Sequence, residues 1–138
     1  MNTKLSTHGL HDAAQMGMRA AIGVIFIVHG FGKFGNPGFG GWISSMGIPA
    51  EMQIPIALAE FIPGILLVIG VLTRISASLI SIVMLGAIFL VKGASSLTGD
   101  GGYELDLILL AACLVVIVAG PGRVSLSYVL KKVPRVLQ

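Results

Sequence analysis

The fold class predicted for this chain is an all-α membrane protein, a bundle of four transmembrane helices with both termini cytoplasmic. Three observations predict it. Of 138 residues, 55% are hydrophobic and 11% charged, with mean hydropathy +0.96, more apolar surface than the core of a soluble domain takes up. Apolar runs of spanning length occupy about 16–34, 54–72, 75–91 and 103–119, separated by Gly, Pro and charged residues. Finally, Lys4, Arg19, Arg74, Arg123, Lys131, Lys132 and Arg135 fall on the face shared by the termini, against Lys33 and Lys92 on the other. The positive-inside rule makes the first face cytoplasmic and the protein a multi-pass component of the cell membrane.

Each element has a local reason. Residues 1–15 are mixed and polar and are expected to form a short tail or interfacial turn. The first span, with RAAIGVIFIVHGFGKF at its heart, counts 19 residues from Met16 to Phe34, roughly 28 Å at ~1.5 Å per residue, about the hydrocarbon thickness of a bilayer. Arg19 opens it, His29 lies inside it and Lys33 closes it. It is longer than a signal-peptide core and no A-x-A-like site follows, so it is read as retained.

The next stretch, GNPGFGGWISSMGIPAEMQ, combines helix breakers with Trp42, an amphipathic ring suited to the headgroup layer, and is expected to be an interfacial or partly re-entrant loop. Pro63 interrupts the second span and leaves the Ala59 carbonyl without its helical donor, one residue from Glu60. Thr73 and Arg74 are expected to make a tight turn into the third span, which carries Ala77 and Ser81 four apart as a small-residue contact stripe. A Gly/Ser-rich loop with Asp100 follows. The fourth span begins at Tyr103 and Glu104 and stops at Gly120-Pro121-Gly122. Residues 123–138 read as a basic amphipathic tail on the membrane surface. Four spans with their connections leave no room for a second domain, so 1–138 is one unit.

Several functions are disfavoured at once. The net charge of +3 and pI near 9.4 come from bases scattered at helix ends rather than gathered in a nucleic-acid patch. Cys113 is the single cysteine, so thiolate metal sites are excluded within one chain, and no second histidine lies within a span, which disfavours a bis-histidine haem. No nucleotide-binding loop is present. A transport pathway is a weaker reading, because the inner half of the bundle holds no ionisable residue beyond Arg19.

What remains is a polar layer. Glu60 is about 9 Å and His29 about 7.5 Å in from the outward helix ends, counting ~1.5 Å per residue. Lys33 stands one turn from His29 on the same face. An ionised carboxylate in hydrocarbon costs on the order of 3 kcal/mol, so Glu60 is expected to face inward and pair, or else to stay protonated. The expected cluster is His29, Lys33 and Glu60, with Tyr103 and Glu104 at its mouth. Lys33, Lys92 and Arg19 have a plainer reading as snorkelling anchors, His29 as a packing residue, and Glu104 and Asp106 as solvated interface groups. Glu60 has the weakest plain reading. A pocket apolar below and proton-active above suits a quinone head group, whose carbonyls need donors and whose reduction takes up protons.

The order and spacing of several motifs resemble the DoxX family of small four-helix membrane proteins over about Met16 to Leu126. They are R-x9-HG-x2-K (Arg19, His29, Gly30, Lys33), MGIPA, E-x3-G-x5-G-x2-TR (Glu60, Gly64, Gly70, Thr73, Arg74), YE (Tyr103, Glu104) and GPG-x2-SL (Gly120, Pro121, Gly122, Ser125, Leu126). Ser127 departs from the Asp common after the Ser-Leu pair, and Pro63 from a common glycine. The resemblance implies a cytoplasmic-membrane bundle associated with respiratory or sulfur- or thiol-linked oxidoreductases, with quinone as acceptor in some relatives and cargo-receptor or chaperone roles in distant ones. The expected function is therefore an integral subunit of such an oxidoreductase. Glu60, His29 and Lys33 are its candidate catalytic residues, and Tyr103, Glu104 and Arg19 its candidate quinone-binding residues. Flavin, metal or iron–sulfur centres are expected on a partner rather than on this chain, with quinone the one ligand it would touch itself, and a homo-oligomer is compatible. The alternative is a non-catalytic assembly or scaffold subunit.

Overall fold

The computed structural model describes residues 4–122, 125–130, 134 and 137. In chain order it contains α1 (Lys4–Phe34), α2 (Pro37–Ser44), a short 3-10 turn (Ala50–Met52), α3 (Gln53–Ile69), α4 (Thr73–Gly86) continued by a π-helical turn (Ala87–Val91), α5 (Glu104–Ala119) and α6 (Leu126–Leu130). No strand occurs among the described residues. Three segments, Gly9–Phe34, Ala50–Ile69 and Thr73–Val91, are long and apolar enough to cross a membrane. The fourth expected span is shorter: α5 has 16 residues, roughly 24 Å at ~1.5 Å per residue.

Three boundaries differ from the sequence expectation. The expected N-terminal tail is helical from Lys4, because Asp12 to Met18 holds good helix formers and no proline. Arg19 accordingly lies in mid-helix and does not open α1. The expected loop after α1 contains α2, in which Pro37 occupies the first turn and the Asn36 side chain accepts from the Gly38 N–H at 3.0 Å. Proline at that position has no intrahelical partner to lose, so it starts a helix instead of breaking one. The turn between α3 and α4 is Gly70–Leu72, not Thr73-Arg74. Gly70 takes the left-handed conformation that ends α3 (φ 76°), and Thr73 is fully buried in the first turn of α4. Within the expected tail Leu126–Leu130 form α6, and its basic residues Arg123, Lys131, Lys132 and Arg135 lie outside the described residues.

The closest helix crossing is α1 on α3. A Cβ on Gly23 would fall 2.6 Å from the Gly64 carbonyl oxygen, and one on Gly64 would fall 2.8 Å from the Gly23 carbonyl oxygen. Two glycines facing each other let the backbones approach where hydrophobic attraction between helices is weak. Ile22 and Phe26 of α1, Leu67 of α3, Ala77, Ile80 and Met84 of α4 and Leu109, Cys113 and Val116 of α5 form one buried cluster. Ser81 is turned inward, its hydroxyl donating to the Ala77 carbonyl at 2.7 Å. The outward faces carry exposed Val28, Phe31, Ile62, Ile82, Phe89, Ile108 and Val118, an apolar belt suited to acyl chains rather than water.

Candidate functional site

Two helix pairs bring acid and base together at one end of the bundle. On the first pair, α1 presents Lys33 and α3 presents Glu60, and the ammonium donates to Glu60 Oε2 at 2.6 Å. Gly30 explains the approach: a Cβ there would sit 2.7 Å from the Phe61 amide nitrogen and 2.8 Å from the Ala57 carbonyl oxygen, so only glycine lets α3 lie against α1 at the level of Glu60. Glu60 is 4% exposed and faces inward. Lys33 also lies over the Phe39 ring at 5.6 Å from its centroid, a cation–π contact from α2 that shields the pair. Gln53 ties the end of α1 to α3, its side-chain amide donating to the carbonyls of Lys33 and Asn36, both at 2.8 Å.

On the second pair, Lys92 follows the π turn of α4 and donates to Asp106 Oδ2 of α5 at 2.5 Å and to the Gly102 carbonyl at 2.9 Å. Both ion pairs line one cavity of about 510 Å³. Phe26, Met84 and Leu109 line its apolar part, Phe39, Trp42 and Ile43 come from α2, and His29 is among the lining residues. The His29 imidazole touches Phe26, ring centroid to ring centroid 6.2 Å, and makes no hydrogen bond with the described residues. Its nitrogens are thus available to whatever enters.

The expected residues are only partly gathered here. Lys33, Glu60 and His29 share the cavity. Tyr103 and Glu104 do not line it: Glu104 is exposed at the start of α5, and Tyr103 precedes that helix half-buried. Asp106, two residues on, takes the inward position, since residues 104 and 106 lie about 200° apart around a helix. Arg19 is also absent from the cavity. It is 1% exposed and donates to the Leu67 carbonyl at 2.9 Å, seven residues beyond Glu60 along α3, or about 10 Å at ~1.5 Å per residue. Sequence reasoning passed over Lys92 and Asp106 as site residues. The available signal was a second Lys and Asp at the same outward ends as Lys33 and Glu60, but which residue of Glu104 and Asp106 turns inward depends on how α5 is rotated.

The comparisons agree with the helical, apolar character of the chain. The DoxX family model matches residues 14–93, a range that includes Arg19, His29, Lys33, Glu60 and Lys92. A Bacillus subtilis (strain 168) protein named "Putative oxidoreductase CatD" is 37% identical over 93 residues, 67% of this chain and 69% of that protein. The "Inner membrane protein YqjF" of Escherichia coli K12 is 29% identical over 129 residues, 89% of this chain and 96% of that protein. The "Uncharacterized membrane protein Rv3486" of Mycobacterium tuberculosis is 32% identical over 130 residues, 83% of this chain and 80% of that protein. No solved structure matches the chain. With a family match over more than half its length, and relatives described as membrane proteins, this chain belongs to the DoxX family of membrane proteins.

Proposed function

We propose that the protein is an integral subunit of a respiratory or sulfur- or thiol-linked membrane oxidoreductase, in which Lys33, Glu60 and His29 bind a quinone head group and exchange its protons. In this reading α5 is the fourth span, both termini are cytoplasmic, and the cavity opens in the outer leaflet. The observation that carries it is an ion pair and an unbonded imidazole lining one largely apolar cavity. Lys33 offers N–H donors to a carbonyl oxygen, and His29 and the free oxygen of Glu60 can hold or release a proton. Phe26, Met84 and Leu109 would keep water from the ring. A quinone becomes a quinol by gaining two electrons and two protons. The electrons come from a redox centre on a partner subunit, and this chain handles the protons.

The test is Glu60→Gln in membranes that contain the assembled complex. It keeps the shape of the side chain and removes its proton-carrying capacity, so quinol-linked turnover should fall at least tenfold with the protein still inserted at its normal level. Unchanged turnover sinks the proposal. A second reading is supported by the same contacts: Lys33–Glu60 ties α1 to α3 and Lys92–Asp106 ties α4 to α5, as in an assembly subunit that only holds its helices for a partner. There, Glu60→Gln lowers the amount of complex and leaves activity per complex intact.

A further inference from the structure

The cavity holds two polar stations built alike on different helices. A lysine ammonium has three N–H donors. Lys33 uses one on Glu60, and Lys92 uses two, on Asp106 and Gly102, so each keeps at least one for a further acceptor. Each carboxylate has one oxygen, Glu60 Oε1 and Asp106 Oδ1, that accepts no hydrogen bond from the described residues. Both stations therefore set a donor beside an acceptor. Their charges cancel within each pair at 2.6 and 2.5 Å.

The π turn underlies the second station. The Lys92 N–H bonds to the Ala87 carbonyl at 3.0 Å, a step of five residues instead of four. One added residue in a turn rotates everything after it by about 100°. This rotation carries Lys92 to α5 and the cavity. Such turns recur at functional sites.

We infer that Lys92 and Asp106 form a second binding pole, so that the cavity takes an uncharged ring bearing oxygens on opposite edges, in both its oxidised and its reduced form. As carbonyls the two oxygens accept from Lys33 and Lys92. As hydroxyls they donate to Glu60 Oε1 and Asp106 Oδ1. The inference rests on the quinone reading above and narrows it to para-quinones and their quinols. A small oxyanion is disfavoured because neither ammonium has uncompensated charge to offer it. The volume, about 510 Å³, falls in the usual range of small-molecule sites, ~300–1,000 Å³.

Trp42 is the only tryptophan of the chain and lines the cavity, so its fluorescence in the purified full-length protein reports binding. The probes are decyl-benzoquinone with two ring oxygens, 4-decylphenol with one, and sodium sulfate. Quinone should quench Trp42 saturably. Lys92→Met should weaken that binding about tenfold, the loss of one charge-assisted hydrogen bond, and Asp106→Asn should weaken binding of decyl-benzoquinol, whose hydroxyl Asp106 accepts, by the same factor. The phenol, which is satisfied by the Lys33–Glu60 pole, should change less than about threefold, and sulfate should not compete. Lys92→Met combined with Asp106→Leu removes both charges and avoids an orphaned carboxylate. It should melt like the wild type and show the same tenfold loss.

Quinone affinity unchanged in Lys92→Met and in the Lys92→Met, Asp106→Leu variant, with Lys33→Met combined with Glu60→Leu weakened, removes the second pole and leaves the quinone reading standing. Equal losses for quinone and phenol also overturn it, since Lys92 then acts on the shape of the pocket. Displacement of quinone by sulfate overturns it in favour of an anion site. Absence of saturable quenching in the wild type removes the quinone reading itself.

Discussion

A buried charge is defined by the group that faces it. Lys33 and Glu60 are stable inside the bundle because each neutralises the other, and removing one partner leaves the other uncompensated, at a cost of about 3–5 kcal/mol for a fully buried pair. Glu60→Ala should therefore destabilise the protein in a denaturing-detergent titration by a few kcal/mol, whereas Lys33→Met with Glu60→Leu should be close to neutral. A double variant as unstable as the single one would show that the pair contributes more than mutual neutralisation. A smaller residue effect sits in the loop after α4. Ala94 is exposed and adopts φ 50°, a left-handed conformation that costs a side chain roughly 1–2 kcal/mol and glycine almost nothing. Ala94→Gly should stabilise the fold by about 0.5 kcal/mol after the greater freedom of glycine in the unfolded chain is subtracted. A lower midpoint in the same titration contradicts this account.

Elements meet here through what their side chains lack. Gly23 and Gly64 abut across the α1–α3 crossing, while Gly17, six residues earlier on α1, has nothing within 4 Å of where a Cβ would be. Gly23→Ala should cost about 1–3 kcal/mol because the Gly64 carbonyl oxygen, part of the backbone, blocks the new methyl group at 2.6 Å, as does the Val68 side chain. Gly17→Ala should be neutral or stabilising. Equal effects at the two positions would separate the crossing from the glycines. Element type was legible in the sequence wherever a long apolar run left a helix as the only backbone able to satisfy its own hydrogen bonds. Element ends were less legible. Pro37 reads as a breaker until Asn36 is seen capping the helix it starts, and Thr73 reads as a turn residue until its burial in α4 is seen. The π turn at Ala87–Val91 left no trace in composition.

For the whole molecule, the distribution of Lys and Arg predicts which side each loop occupies. Cys113 is fully buried, so a cysteine introduced elsewhere can be labelled without background. Asp100→Cys should react with a membrane-impermeant maleimide on intact cells, and Gln138→Cys only after permeabilisation. The reverse pattern would invert the proposed orientation and place the cavity in the inner leaflet.

By itself, the sequence determined that the chain is a helical membrane protein of the DoxX type and that His29 and Glu60 lie at nearly one depth, with Lys33 one turn from His29. Hydropathy and a rise of ~1.5 Å per residue act along one helix at a time, so both can be read from one dimension. Only the tertiary structure decided which carboxylate of α5 turns inward and that Lys92 joins it. Those outcomes depend on the rotation of each helix about its own axis, and that angle is set by the neighbours it packs against.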